Sequence, residues 1–420
     1  MRGKLGYLIS RYPAISHTFI LREVLELRRL GYHIEVASIN QPDQPRSGLT
    51  LEERAEADST FYVKSSGARG ALQAQASELA HNPLAYMRGF IFAAALGGTD
   101  PRRAIMSILY FVEAVLIVQW MRARGLKHLH VHFATPAATV GLIVAKVSRF
   151  TFSLTIHGPD EFYDTPGYLL PEKIATANLL CVIGMFARSQ VMRLCESSLW
   201  DKIELTPLGV DARLFRPTGL AKTAKIFEIL CVGRLVPAKG QHVLLAAVAR
   251  LRSSGRAVLL RLVGDGPDRS SLEASTRLLR IEDSVIFEGP VNQDRIRDLY
   301  ATADVFVLAS FAEGIPVVLM EAMAMEIPCV STWVNGIPEL IRDSIDGLLV
   351  SPSDADALAA AIARLMDDGD LRNQLAKAGR LRVIDKYDLT ENVAHLAEVF
   401  DAYLCEEATS APDHARSVLA

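Results

Sequence analysis

Short apolar runs alternate along the chain with stretches whose apolar positions recur every three or four residues. "KLGYLIS", "HIEVASIN", "HLHVHF", "FTFSLTIH", "NLLCVIG" and "KIELTPLG" read as strands. Between them, "SHTFILREVLELRRLG", closed by Gly31, and "PAATVGLIVAKVS", opened by Pro136, carry the helical period. Residues 41–80 are polar and weakly patterned, which predicts loop with some helix. "VDARLFRPTGLAKTAK", with Pro217, Gly219 and small and basic residues, breaks the rhythm as an interdomain linker does. A second series follows: "FEILCVG", "AVLLRLVG", "DSVIFEG", "ADVFVLAS", "IPCVST" and "GLLVSP". Near-continuous apolar strands separated by helices belong to parallel sheets covered on both faces. The prediction is an α/β protein of two Rossmann-like, doubly wound domains, residues 1–216 and 217–387, facing a central cleft. Ligands of such sheets bind beyond the carboxyl ends of the strands.

The totals narrow the picture. A chain of 420 residues exceeds what one core usually supports, in keeping with two domains. The net charge of −3 gives no global attraction to nucleic acid. Cys181, Cys195, Cys231, Cys329 and Cys405 are scattered, which suits buried thiols in a reducing cytoplasm rather than a zinc site or disulfide framework. The apolar run at the N-terminus is too short for a secretory signal. "AIMSILYFVEAVLIVQWM", residues 104–121, approaches the length of a membrane span but holds Glu113 and Gln119. Residues 81–127 carry a net charge of +4, so a basic, apolar helical pair here suits either a buried helix or peripheral contact with an anionic membrane.

Candidate chemistry gathers at the strand ends. Gly233 allows a tight turn, and Arg234 and Lys239 follow in the same loop, a planar fork and a point charge suited to a diphosphate. "GDGP" is explained by turn and helix-start chemistry at Pro267, or by close approach to a ligand. In "FAEGIPVVLMEAM", Pro316 reads as the first helical residue, with Glu313 before the helix and Glu321 within it. The backbone of Gly314, Ile315, Pro316, Val317 and Val318 forms a positive helix end that suits an anion. A diphosphate bracketed there places a ribose at Glu321 and a sugar at Glu313. A glycosidase pair is compatible with the acids but gives the neighbouring cations no role. On the other side of the cleft, "TIHGPDEF" offers His157, Gly158 and Asp160 at a strand end. Packing suffices for His130 and His132, and Ser353 or Asp354 reads as a helix cap rather than a metal ligand.

Together, "GRLVPAKG", "GDGP", the pair Glu313 and Glu321, "VNGIPELI" and "DGLLVSPSD" resemble glycosyltransferase family 4, retaining nucleotide-sugar transferases with the GT-B fold. "RYPAISHTFILREVLELRRLG", "VHFA" and "HGPDEF" look like its exopolysaccharide and colanic-acid branch. The resemblance implies that Arg234 and Lys239 hold the donor diphosphate, that Glu321 holds the ribose, and that Glu313 and His157 act at the transferred sugar. It implies no metal or cofactor, a UDP- or GDP-linked hexose donor, and a growing glycan, lipid-linked through polyprenyl diphosphate, as acceptor. A cytoplasmic enzyme, peripheral on the inner face of the plasma membrane, is the expected setting. A final helix, about 388–405, is expected to pack back on the first domain. Two departures stand out: "RYPAISH" replaces a glycine-rich loop, and Glu326 stands where a glycine is usual, with a local pairing expected. An epimerase or hydrolase of the same fold, or a non-catalytic sugar-nucleotide-binding protein, are the rival readings.

Overall fold

Each run read as a strand is one, and the strands fall into two parallel sheets. The computed structural model describes residues 2–217 and 226–410, with side chains in the last helix described to Tyr403. The second half of the expected linker, 218–225, lies outside the described residues, as does the side chain of Cys405. The first sheet contains β1 (Lys4–Arg11), β2 (His33–Asn40), β3 (Phe61–Tyr62), β4 (His128–His132), β5 (Thr151–Ile156), β6 (Leu179–Val182) and β7 (Ile203–Leu205). Its order is β3-β2-β1-β4-β5-β6-β7. The second contains β8 (Phe227–Val232), β9 (Val258–Val263), β10 (Val285–Gly289), β11 (Val305–Leu308), β12 (Cys329–Thr332) and β13 (Leu348–Val350), in the order β10-β9-β8-β11-β12-β13. In each sheet the winding reverses beside the first strand, between β1 and β4 and between β8 and β11. Such switch points open the crevice in which doubly wound sheets bind ligands.

Residues 41–80 hold more structure than their pattern predicts: helices Leu51–Ser59 and Gly67–His81 flank the two-residue β3. The first starts on a capping box between Thr50 and Glu53. Both are anchored through polar groups. Tyr12 donates to Glu56 at 2.9 Å, Arg122 pairs with Glu78, and Gln119 donates to the Ala74 carbonyl at 2.9 Å. Anchors of this kind leave no apolar period to read.

The helix Pro101–Arg124 is divided. Phe111, Val115, Ile117, Val118 and Met121 lie in the core of the first domain, whereas Ile105, Met106 and Leu109 are exposed. Leu84, Met87, Phe90 and Ile91 of the neighbouring helix Pro83–Leu96 are exposed as well.

The domains share part of their packing. Ile183, Leu208 and Val210 belong to one buried cluster with Ile315, Leu319, Met320 and Ile337. The two strands of chain that cross between domains are bonded to each other: Val210 N–H donates to Tyr387 O at 2.9 Å, and Leu389 N–H to Val210 O at 3.2 Å. The last helix, Leu389–Ser410, sets Leu389, Val393, Leu396 and Phe400 against Tyr7, Ile20 and Val24 of the first domain.

Candidate functional site

Because β8 and β11 are neighbours, the loops that follow them meet. Gly233 continues the β8 ladder, its N–H donating to Val263 O at 2.9 Å, and Gln241 Nε2 pins the Arg234 carbonyl at 2.8 Å. The Arg234 side chain is exposed and forms no ion pair among the described residues. Lys239 Nζ lies 2.6 Å from Glu313 Oε1, to which Ser310 Oγ also donates at 2.7 Å. Glu313 is only 7% exposed, so this carboxylate is held by a cation and a hydroxyl rather than by water. The glycines of "GDGP" serve the same loop. A Cβ on Gly264 would lie 2.1 Å from Gly233 O, and one on Gly266 2.2 Å from Leu235 O. The helix expected from Pro267 begins at Arg269, because Asp268 takes the cap position.

The helix after β11 spans Val317–Ala324, with Pro316 in extended geometry at its cap, one residue outside the helix expected to start on it. Proline has no amide hydrogen, so the donors near this helix end belong to Gly314, Ile315, Val317 and Val318. Glu321 lies deeper and faces another way. Tyr300 donates its hydroxyl to Glu321 Oε2 at 2.9 Å. Burial pushes the Glu321 carboxyl up to about 7, against the opposing pull of Tyr300 and of Arg22 from the first domain. Glu326 pairs with Arg380 at 3.7 Å, and its φ of +54° places it in the left-handed region at a helix end. Glycine adopts that conformation at no steric cost, which gives a physical reason for a glycine to be usual there. Asp354 caps its helix through Ala357 N–H at 2.8 Å.

The first domain brings the ends of β1, β4 and β5 to the opposite wall. His157 Nε2 lies 3.0 Å from His132 Nδ1, and His132 Nε2 lies 3.2 Å from Glu23 Oε1, off the line of a good hydrogen bond. Tyr7 donates to the same Glu23 oxygen at 2.9 Å. His130 uses both ring nitrogens on β5, Nδ1 with Ser153 at 2.7 Å and Nε2 with Thr155 at 2.9 Å. Glu23, His130 and His132 lie close enough to hold a metal; both ring nitrogens of His130 have protein partners, whereas His132 Nε2, which faces Glu23, has none in hydrogen-bonding geometry among the described residues. His17, from "RYPAISH", stacks on Phe133 with ring centroids 4.9 Å apart. Burial, and then the charge of Arg234, lower the His17 pKa to about 4, so this ring is neutral at ordinary pH. His17 Nδ1 and His157 Nδ1 are both buried and without a hydrogen-bond partner among the described residues. His132 Nε2 is a third such atom in the same group.

Asp160 is exposed at the start of a short helix, and it is the next residue that is buried. Glu161 accepts from His157 N–H at 2.6 Å, from Gly158 N–H at 2.8 Å and from Ala134 N–H. Lys173, also buried, donates to the carbonyls of Ala134 at 2.8 Å and Thr135 at 3.1 Å. Burial raises the Glu161 pKa and lowers that of Lys173. Of the two acids in "DEF", Asp160, offered to the cleft from the sequence, is exposed, and Glu161 is the one that holds the loop from inside.

The walls touch at Gly314. A Cβ there would lie 2.0 Å from His157 O, which only glycine avoids. Glu339, in "VNGIPELI", completes the contact by accepting from Met185 N–H and Phe186 N–H, each at 2.7 Å. It thereby caps a helix of the other domain that has no cap of its own. Thus Gly233, Arg234, Lys239, Glu313 and Gly314–Val318 form one wall, His157 and His17 face it, Glu321 lies behind, and Asp160 is exposed at the start of its short helix.

Comparison with known proteins bears on the second domain and on the fold. Residues 214–382 match the family described as Glycosyl transferases group 1. The chain is 27% identical over 416 residues to the colanic acid biosynthesis glycosyltransferase WcaL of Escherichia coli K12, covering 93% of this chain and 97% of that one. It is 26% identical to the amylovoran biosynthesis glycosyltransferase AmsK of Erwinia amylovora, covering 95% and 99%. Among solved structures it is similar to a sucrose-phosphate synthase of Thermosynechococcus elongatus, with TM-score 0.75, 20% identity and coverage of 96% and 100%. It is also similar to Anabaena HepE in complex with UDP-glucose, with TM-score 0.72, 17% identity and coverage of 95% and 99%. The two-domain architecture is that of GT-B glycosyltransferases.

Proposed function

We propose that this chain, whose residues 214–382 form a glycosyl transferases group 1 domain, moves a hexose from a UDP- or GDP-sugar to a growing glycan. The glycan is carried on a polyprenyl diphosphate, the product is an exopolysaccharide, and the anomeric configuration is retained. The observation that carries the reading is the wall formed by unpaired Arg234 and the Lys239–Glu313 pair, facing His157 across the contact at Gly314.

The donor diphosphate takes the place beside Arg234 and Lys239, with the amides of Val317 and Val318 at the helix end. Charge that develops on the leaving diphosphate is then met by a guanidinium, an ammonium and a helix terminus, so the reading assigns no metal or cofactor. Glu313 and His157 flank the transferred sugar as the catalytic candidates, and Glu321 accepts from the ribose hydroxyls in place of Tyr300. The relatives named for colanic acid and amylovoran support the product class, and the UDP-glucose complex of HepE supports the donor class.

Peripheral attachment to the inner face of the membrane belongs to the same reading. It is supported by the exposed apolar side chains of helices Pro83–Leu96 and Pro101–Arg124, with Arg88, Arg102 and Arg103 exposed among them. The test is a panel of UDP- and GDP-sugars, each offered with and without membrane extract, followed by nucleotide release and sugar incorporation. Incorporation that needs extract and is restricted to one nucleotide supports transfer. Turnover of donor alone identifies an epimerase or hydrolase, and tight binding without product a binding protein.

A further inference from the structure

The line Glu23–His132–His157 runs from the interior of the first domain to the cleft wall. A neutral imidazole carries one N–H and one lone pair, and the partner of one nitrogen decides the role of the other. His132 Nε2, at 3.2 Å from a carboxylate oxygen, carries the hydrogen, because a lone pair there would repel the anion. Its Nδ1 is then an acceptor, and the hydrogen between His132 and His157 belongs to His157 Nε2. That leaves His157 Nδ1 as a bare lone pair, and this atom, like His132 Nε2, is buried without a hydrogen-bond partner among the described residues.

A doubly protonated His132 would reverse this order, so the groups around it matter. It faces Glu23 and Tyr7 from one side and His130 and His157 from the other, with ring centroids 5.0 Å and 5.2 Å away. The Glu23 oxygen it approaches already accepts from Tyr7. His157 in turn packs on Phe133 at 4.3 Å and Phe19 at 5.1 Å, with His17 beyond Phe133. The wholly buried His132 ring gains no water to solvate a charge.

We propose that Glu23, acting through His132, is a positioning residue that fixes His157 with its hydrogen on Nε2, so that Nδ1 accepts a hydrogen bond from a hydroxyl of the sugar donor. The second half of the proposal rests on the transferase reading above; the first does not. Glu23 lies on the first helix, Thr18–Arg29, and lines a small cavity with Phe19, Thr206, Leu208 and Leu389. Its effect is to make the wall an acceptor rather than a donor, and so to select a sugar with a hydroxyl at the facing position.

Two measurements test it. In the full chain with ¹⁵N-labelled histidine, NMR of the ring nitrogens is expected to show His157 Nε2 protonated and Nδ1 bare; a proton on Nδ1 overturns the proposal without reference to any activity. Donors in which single hydroxyls are replaced by fluorine, which cannot donate, are then compared by kcat/KM. One analogue is expected to lose roughly 3- to 10-fold, the worth of one neutral hydrogen bond. Glu23→Gln keeps an acceptor oxygen and should retain both the tautomer and the discrimination. Glu23→Leu removes the acceptor, and its His157 should become a tautomer mixture that no longer separates the two donors. Unchanged discrimination in Glu23→Leu overturns the role of Glu23. If that variant does not fold, loss of the tautomer in Glu23→Gln overturns it instead, and its retention supports it. Failure of the wild-type chain to turn over any donor removes the transferase reading and the hydroxyl contact with it, while the tautomer measurement still decides the relay.

Discussion

Glu313 and Glu321 share one apolar run but live in different surroundings. Lys239 and Ser310 hold Glu313 in place, while Glu321 meets only the Tyr300 hydroxyl. Glu321 therefore has a pH signature. An unfolded chain releases this proton near the ordinary carboxylate value of 4.5, whereas the folded one holds it to about 7. Between those values the fold binds a proton that the unfolded chain has lost, so stability falls as pH rises; above about 7 the full cost remains. Glu321→Gln should remove this fall, and its advantage over wild type should grow by about 2–3 kcal/mol from pH 5 to pH 8 in urea unfolding, while donor binding weakens. An equal effect at both pH values would contradict the raised pKa. Arg234 makes the opposite case, a charge with no structural duty. Arg234→Ala is expected to leave the melting temperature unchanged and to lower kcat/KM by about 2–4 kcal/mol of transition-state stabilisation. Full sugar transfer by Arg234→Ala or by Glu313→Ala would defeat the site assignment.

At the scale of elements, the turn between β11 and the helix Val317–Ala324 does two jobs. It presents amides to a ligand, and it lets the second domain approach the β5 loop of the first. Gly314→Ala sets a methyl carbon against His157 O, so the walls must part. The expected result is a larger radius of gyration by small-angle scattering and a fall in kcat, with each domain still folded. An unchanged radius would mean that the contact yields locally. Glu339 shows why element boundaries alone do not reveal such contacts. Its carboxylate terminates a helix some 150 residues earlier in the chain, at Met185 and Phe186. The strands, by contrast, are legible one by one, because β6 and β11 are buried along their whole length and so read as unbroken apolar runs.

For the whole molecule, two paired crossings of the chain and one shared cluster set how the domains face each other. The helices Pro83–Leu96 and Pro101–Arg124 form a separate surface, apolar and basic at once. Its side chains are consistent with anchoring in a headgroup region that carries negative charge. The protein should float with vesicles containing phosphatidylglycerol more than with phosphatidylcholine alone, and Ile91→Glu with Ile105→Glu should reduce flotation without reducing donor binding. Equal flotation of wild type and variant would remove this surface from the account.

Local pattern determined most of the secondary structure, the two-domain division and the loops that hold Arg234, Lys239 and Glu313. Each depends on apolar runs, turn residues and charges that lie within a few positions of one another. Pattern also placed both histidine segments on strand β4 and at the end of β5. It did not reveal that Glu161, rather than Asp160, turns inward to bind three amides, that Glu339 caps a helix of the other domain, or that Glu23 reaches His157 through His132. Glu339 and Glu23 meet partners distant in sequence, Glu161 meets one distant and two nearby, and two of the three acids are bound to backbone amides. A backbone amide is present at almost every position, so no residue type announces it. Only the folded chain decides which amide, and which ring nitrogen, a buried acid will meet.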